Sequence, residues 1–75
     1  IMLFITSIPK SLEGKTLAES GIGAKTGLSV IAIKDKTEVI TLLSASTNLP
    51  PRAEIVMLGE IEMRQKFNEK FGLTD

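Results

Sequence analysis

The sequence contains no cysteine and no histidine. These two absences exclude disulfides, thiol nucleophiles, zinc sites of the Cys/His kind and every histidine-based acid–base mechanism. Tryptophan and tyrosine are missing as well, so three phenylalanines are the whole aromatic content. There is no charge excess: nine Lys and Arg balance nine Asp and Glu. A neutral chain builds no strong field for phosphates, so a nucleic-acid partner is not expected. Unbroken apolar runs reach only four or five residues, too short to cross a membrane as a helix.

What remains is an apolar, foldable chain. Hydrophobic residues make up 43% of 75 positions, above the range of disordered segments. That length predicts one domain over residues 1–75. The first residue is Ile rather than Met, so the chain reads as a domain cut from a longer protein. A domain of this size buries only about 60–65% of its unfolded surface. With no disulfide or metal to compensate, a partner surface is the natural further source of burial.

Apolar patterning predicts the elements. Residues 1–8 (IMLFITSI) form a first strand ended by Pro9, and Ser11–Gly14 a turn. Thr16 stands three residues before Glu19, the spacing of a capping box, so a short helix starts near Leu17 and stops at Gly21 or Gly23. Residues 28–34 and 38–43 pair as a hairpin around Asp35-Lys36-Thr37. A polar loop, 44–52, carries Pro50 and Pro51, and residues 53–58 are the last strand. A final helix covers about 60–71, with Met63, Phe67 and Phe71 at i, i+4 and i+8 and Gly72 as its stop. The expected fold is therefore α+β in the order β-α-β-β-β-α, a four-stranded sheet with two helices.

The strands carry a further message. Met2-Leu3-Phe4-Ile5, Val30-Ile31-Ala32-Ile33 and Ile55-Val56-Met57-Leu58 are apolar without alternation. Such runs belong to strands covered on both faces, whereas two short helices cover only one. A second copy of the chain is the simplest cover for the other, so a homodimer is expected.

No motif carries catalysis. Gly21-x-Gly23-x-x-x-Gly27 lacks the third glycine of a dinucleotide fingerprint, since Thr26 stands there, and Ala24-Lys25-Thr26 fails the phosphate-loop pattern. The glycines serve helix ends and turns. Lys10, Lys15 and Lys25 are an ordinary density of lysines rather than an anion site. The nine carboxylates are scattered, with no acid–base pair and no metal-binding spacing. An enzyme is not expected, and neither is a metal site.

The segment Ser11-Leu12-Glu13-Gly14-Lys15-Thr16-Leu17-Ala18-Glu19 resembles one in the C-terminal subdomain of TrkA and RCK proteins. So does Lys25-Thr26-Gly27-Leu28-Ser29-Val30-Ile31-Ala32-Ile33-Lys34, and so does Ile55-Val56-Met57-Leu58-Gly59 before a charged helix. The resemblance covers nearly the whole chain and implies the same β-α-β-β-β-α fold with dimerisation. It implies a cytosolic ligand-sensing domain, attached to or associated with a potassium channel or a potassium or cation transporter. A purely structural dimerisation module without ligand is the alternative. An enzyme fragment, the third possibility, has no nucleophile–base pair to support it.

The resemblance also implies a ligand class, a small nucleotide, because several family members bind cyclic di-AMP at a dimer interface. It places the site against residues 22–31, with Ile22, Val30 and Ile31 as apolar contacts and Lys25 and Ser29 as polar ones. Members that bind cyclic dinucleotides carry Arg at the place of Gly23 and Asn at the place of Ser29. Those departures disfavour cyclic di-AMP here, since glycine offers no guanidinium to a phosphate. The family's frequent Gly-Asp before the last strand is Arg52-Ala53 in this chain, a variation of the turn.

Overall fold

The computed structural model describes residues 1–72; the last three residues of the expected 1–75 domain lie outside the described residues. Four strands form one antiparallel sheet: β1 (Met2–Ser7), β2 (Ser29–Asp35), β3 (Glu38–Ile40) and β4 (Glu54–Gly59). Their order across the sheet is β1-β4-β2-β3. The two strands most distant in sequence, β1 and β4, therefore lie side by side, with Leu3 opposite Leu58 and Ile5 opposite Val56. A bulge between Val30 and Ala32 leaves Ile31 as an extra residue in β2.

The first helical segment is broken in two. Helix α1 (Leu17–Ser20) begins at the predicted capping box: the Glu19 N–H donates to Thr16 Oγ1 at 3.1 Å, and the Thr16 N–H donates to Glu19 Oε1 at 2.9 Å. Those bonds to the Thr16 backbone and side chain, helped by Lys15, hold the Glu19 carboxyl below its ordinary pKa. Its depressed value makes the cap a contribution present near neutrality and lost as the pH falls into the acid range. Gly21, at φ 67°, ends α1, and α2 (Ile22–Thr26) starts at once. Gly23 is thus no stop but an interior residue of α2, and the second stop is Gly27, at φ 86°. Two buried hydroxyls stitch these breaks. Ser20 Oγ donates to the Leu17 carbonyl at 2.6 Å and accepts from the Ile22 N–H. Thr26 Oγ1 donates to the Ile22 carbonyl at 2.6 Å and accepts from the Leu28 N–H.

Helix α3 (Ile61–Phe71) ends at Gly72 in the left-handed region, as its sequence predicts. It packs on one face of the sheet through Phe67, which is fully buried and lies 4.9 Å from the Phe71 ring centroid. The core joins Phe67 to Phe4, Ile33, Ile55 and Met57 of the sheet and to Ile8, Leu12, Ile22, Leu28, Leu49 and Ala53. No helix among the described residues is long and apolar enough to cross a membrane.

The third strand is shorter than the hydrophobic run suggests. It ends at Ile40, and the chain leaves the sheet for the loop before β4. That loop is tied to the segment ahead of β2: Leu17 N–H donates to the Thr47 carbonyl, Ala18 N–H to the Ala45 carbonyl, and Gly14 and Lys15 exchange bonds with Leu49 at 2.8 Å. These contacts fix where residues 43–45 stand, and so one wall of the site described next.

Candidate functional site

Beside α2 the surface holds a shallow apolar groove of about 450 Å³. Leu17 and Ala18 of α1, then Gly21, Gly23 and Ala24, form one wall; Val30 of β2 and Leu43, Ser44 and Ala45 form the other. Every lining residue is uncharged, and Ser44 is the single polar side chain. Small residues make the groove, because Gly and Ala on α1 and α2 leave room that a longer side chain would fill. β3 pairs only with Ile33–Asp35 of β2, so the start of β2 has a free edge beside this groove.

The five residues expected to form the site do not share one surface. Val30 lines the groove, and Ser29 and Ile31 flank it on β2, both exposed. Ile22 points the other way: it is 1% exposed and belongs to the core, so it anchors α2 instead of offering contact. Lys25 is exposed, but its stem lies over Gly21 and its ammonium stands 5.9 Å from the Phe71 ring centroid. Ile22 and Lys25 lie only about 60° apart around α2, so what separates them is burial: Ile22 turns into the core while the longer Lys25 stays exposed at its edge. Leu17, Ala18, Leu43, Ser44 and Ala45 were not read from the sequence as site residues. The backbone bond from Ala18 to Ala45 brings the last three in, and no local pattern announces it.

Two larger concavities lie at the β2–β3 turn, sharing Lys10, Glu13, Lys36 and Arg52. Their charges are of both signs, and Lys10 stands here while Lys25 packs toward Phe71, so the lysines of the first third do not converge. Lys36 and Arg52 are the non-glycine residues with positive φ, at 58° and 61°. Among the described residues, no group of carboxylates is placed to hold a metal.

Gly27 closes α2 on the side of α3. A Cβ there meets Met63 of α3 at 3.4 Å, and the left-handed φ disfavours any branched side chain. Gly27→Val is expected to cost about 1–3 kcal/mol, read as a lower urea midpoint with an unchanged slope. An unchanged midpoint would show that the turn tolerates ordinary side chains.

The TrkA-C domain model matches residues 2–72, the whole of the described fold. The chain belongs to the TrkA-C domain family. No curated protein matches it in sequence. Among solved structures, the GsuK channel superposes with a TM-score of 0.87 at 24% identity, covering 96% of this TrkA-C domain and 14% of the GsuK chain. The RCK_C domain dimer of S. agalactiae BusR in complex with c-di-AMP gives 0.83 at 17% identity, covering 99% of this chain and 100% of that one. The RCK C domain of the potassium transport protein KtrA, also in complex with c-di-AMP, gives 0.82 at 22% identity, covering 91% and 80%. At these identities the likeness establishes the fold. The domain spans about a seventh of the GsuK channel, so the rest of such a protein has no counterpart in this chain.

Proposed function

We propose that this TrkA-C domain is a ligand-sensing and dimerisation domain. It acts on the cytosolic side of the membrane and regulates a potassium channel or a potassium or cation transporter. The observation that carries the reading is the groove beside α2, uncharged and bounded by two helices and the start of β2, in a chain whose family match runs from residue 2 to 72. KtrA is a potassium transport protein, and the KtrA and BusR domains hold c-di-AMP. A GsuK channel structure holds NAD. A small planar molecule suits a groove that is mostly aliphatic with few polar anchors.

The second reading, a structural dimerisation module without ligand, draws on the same groove. No cation lines it, and Gly23 and Ser29 stand where cyclic-dinucleotide binders carry Arg and Asn. BusR is also known in complex with promoter DNA, though this chain spans only 35% of that protein. The expectation of no nucleic-acid partner therefore rests on the neutral charge of this segment and reaches no further.

Titration calorimetry with cyclic di-AMP tests the place of the site and the argument from Gly23. The unaltered domain is expected to bind weakly or not at all. Gly23→Arg with Ser29→Asn is expected to strengthen binding, because a charge-assisted phosphate contact contributes about 1.5–3 kcal/mol. The arginine fits: Gly23 has ordinary helical angles, and a Cβ there meets only the Leu28 carbonyl, at 3.7 Å. Tight binding by the unaltered domain would overturn the argument from Gly23. An unaltered affinity in the double variant would mean that the site lies elsewhere.

A further inference from the structure

The two concavities at the β2–β3 turn share no lining residue with the groove beside α2. The first, of about 670 Å³, gathers cations from four places in the chain. Lys10 stands in the helical turn after Pro9, Lys34 near the end of β2, Lys36 between β2 and β3, and Arg52 just ahead of β4. All four are exposed, whereas its two carboxylates, Glu13 and Glu54, are half-buried. The lining thus carries an excess of two positive charges in a chain that is neutral as a whole. Among the described residues, none of the four cations joins an ion pair; Lys34 and Glu54 are opposed across β2 and β4 without forming one. The second concavity adds only Asp35 to these charges. Six of the described residues have a left-handed φ, and four of them are glycines. The other two, Lys36 and Arg52, both stand at this cavity. A side chain is disfavoured at such a φ, and residues held there against that cost gather at sites where the side chain is used.

We propose that this cavity is a second ligand site, for the phosphate group of a small soluble polyol phosphate such as a phosphorylated sugar. It rests neither on the groove nor on the regulatory role proposed above. A phosphate monoester carries close to two negative charges near neutrality, which matches the excess of the lining, and it offers three acceptor oxygens. Arg52 supplies paired donors in one plane, and the three lysines supply point charges. Glu13 and Glu54 accept hydrogen bonds only, so they suit the hydroxyls of the rest of the ligand. No aromatic side chain lines either concavity among the described residues, so nothing there stacks on a nucleobase. That separates this ligand class from the nucleotides considered for the groove. The volume exceeds that of a phosphate group several times over and lies in the range of small-molecule sites.

The test titrates glucose 6-phosphate, inorganic phosphate and glucose onto the 75-residue chain at constant ionic strength, followed by amide proton–nitrogen correlation spectra. Saturable shifts are expected at Lys34, Lys36 and Arg52 and not at Gly23, Ala24 or Val30. Glucose 6-phosphate should bind more tightly than inorganic phosphate, and glucose should not bind. Lys36→Gly and Arg52→Gly are each expected to weaken glucose 6-phosphate about tenfold or more. Because glycine accepts the left-handed φ, both variants should keep or raise the melting temperature of the unliganded domain. Lys66→Gln, which removes a cation from α3, should leave the affinity unchanged. A titration without saturable shifts would overturn the site. So would a melting temperature that falls in both glycine variants while the affinity is kept, since Lys36 and Arg52 would then serve the turns alone. Equal affinity for glucose 6-phosphate and inorganic phosphate would overturn the part given to Glu13 and Glu54. Phosphate groups also occur on lipid headgroups, and cosedimentation with phosphatidylcholine vesicles containing phosphatidic acid separates that source. The domain is expected to stay in the supernatant; pelleting with the vesicles would overturn the assignment to a soluble ligand.

Discussion

Phe67→Ala is expected to lower the stability of the domain by about 3–5 kcal/mol, the loss typical of a buried phenylalanine. The side chain is fully buried, and its ring is the piece of α3 that meets the core residues of the sheet. Removing it deletes the burial of the ring, the tilted contact with Phe71 and the main bond between helix and sheet. A domain of 75 residues has a total stability of about 4–11 kcal/mol, so this single change removes a large fraction or all of it. Urea unfolding followed by circular dichroism gives the number. A loss below about 1 kcal/mol would show that the sheet holds without α3, contrary to the single core described above.

Gly59→Ala is expected to cost about 1–3 kcal/mol, from overpacking alone. The position has no left-handed φ, so the backbone accepts alanine. The space does not: a Cβ there falls 2.5 Å from Leu28 Cδ2 and 2.9 Å from Met63 Sδ. Leu28 is 2% exposed and cannot swing away, and Met63 accepts the Glu60 N–H at its sulfur, 3.4 Å away, where α3 begins. The methyl group must therefore push α3 from the end of β4. Gly59→Ala with Met63→Ala should recover part of the loss by opening room at the sulfur, and thermal melts of the single and double variants measure it. A single variant as stable as the parent would show that the strand end and helix start yield freely.

The two substitutions touch residues whose importance had very different visibility. Phe67 lies on the Met63-Phe67-Phe71 stripe, with acidic residues at the helix start, Lys70 in the last turn and Gly72 as stop, so α3 is legible from spacing alone. The Thr16–Glu19 capping box is legible for the same reason, since both of its bonds join residues three apart. Gly59 looks like any glycine at a strand end. Its need for no side chain comes from Leu28 and Met63, which are brought together only by the fold.

By itself, then, the sequence determined the identity of the main elements, the hairpin of β2 and β3, the lack of cysteine and histidine and the resemblance to the family that the chain proves to join. Each of these rests on interactions between residues near in sequence or on composition, where periodicity and capping act. Tertiary structure decided the order β1-β4-β2-β3, the early end of β3 at Ile40 and the break of the first helix at Gly21. It also decided which side chains line the groove. Ile22 went to the core, Lys25 to Phe71, and Ala18 and Ala45 came together across a loop of polar residues. The physical reason is the same throughout. Which face of a short helix or strand is covered depends on partners far away in the chain, and α2, five residues long, has no stripe of its own to say which side it will bury.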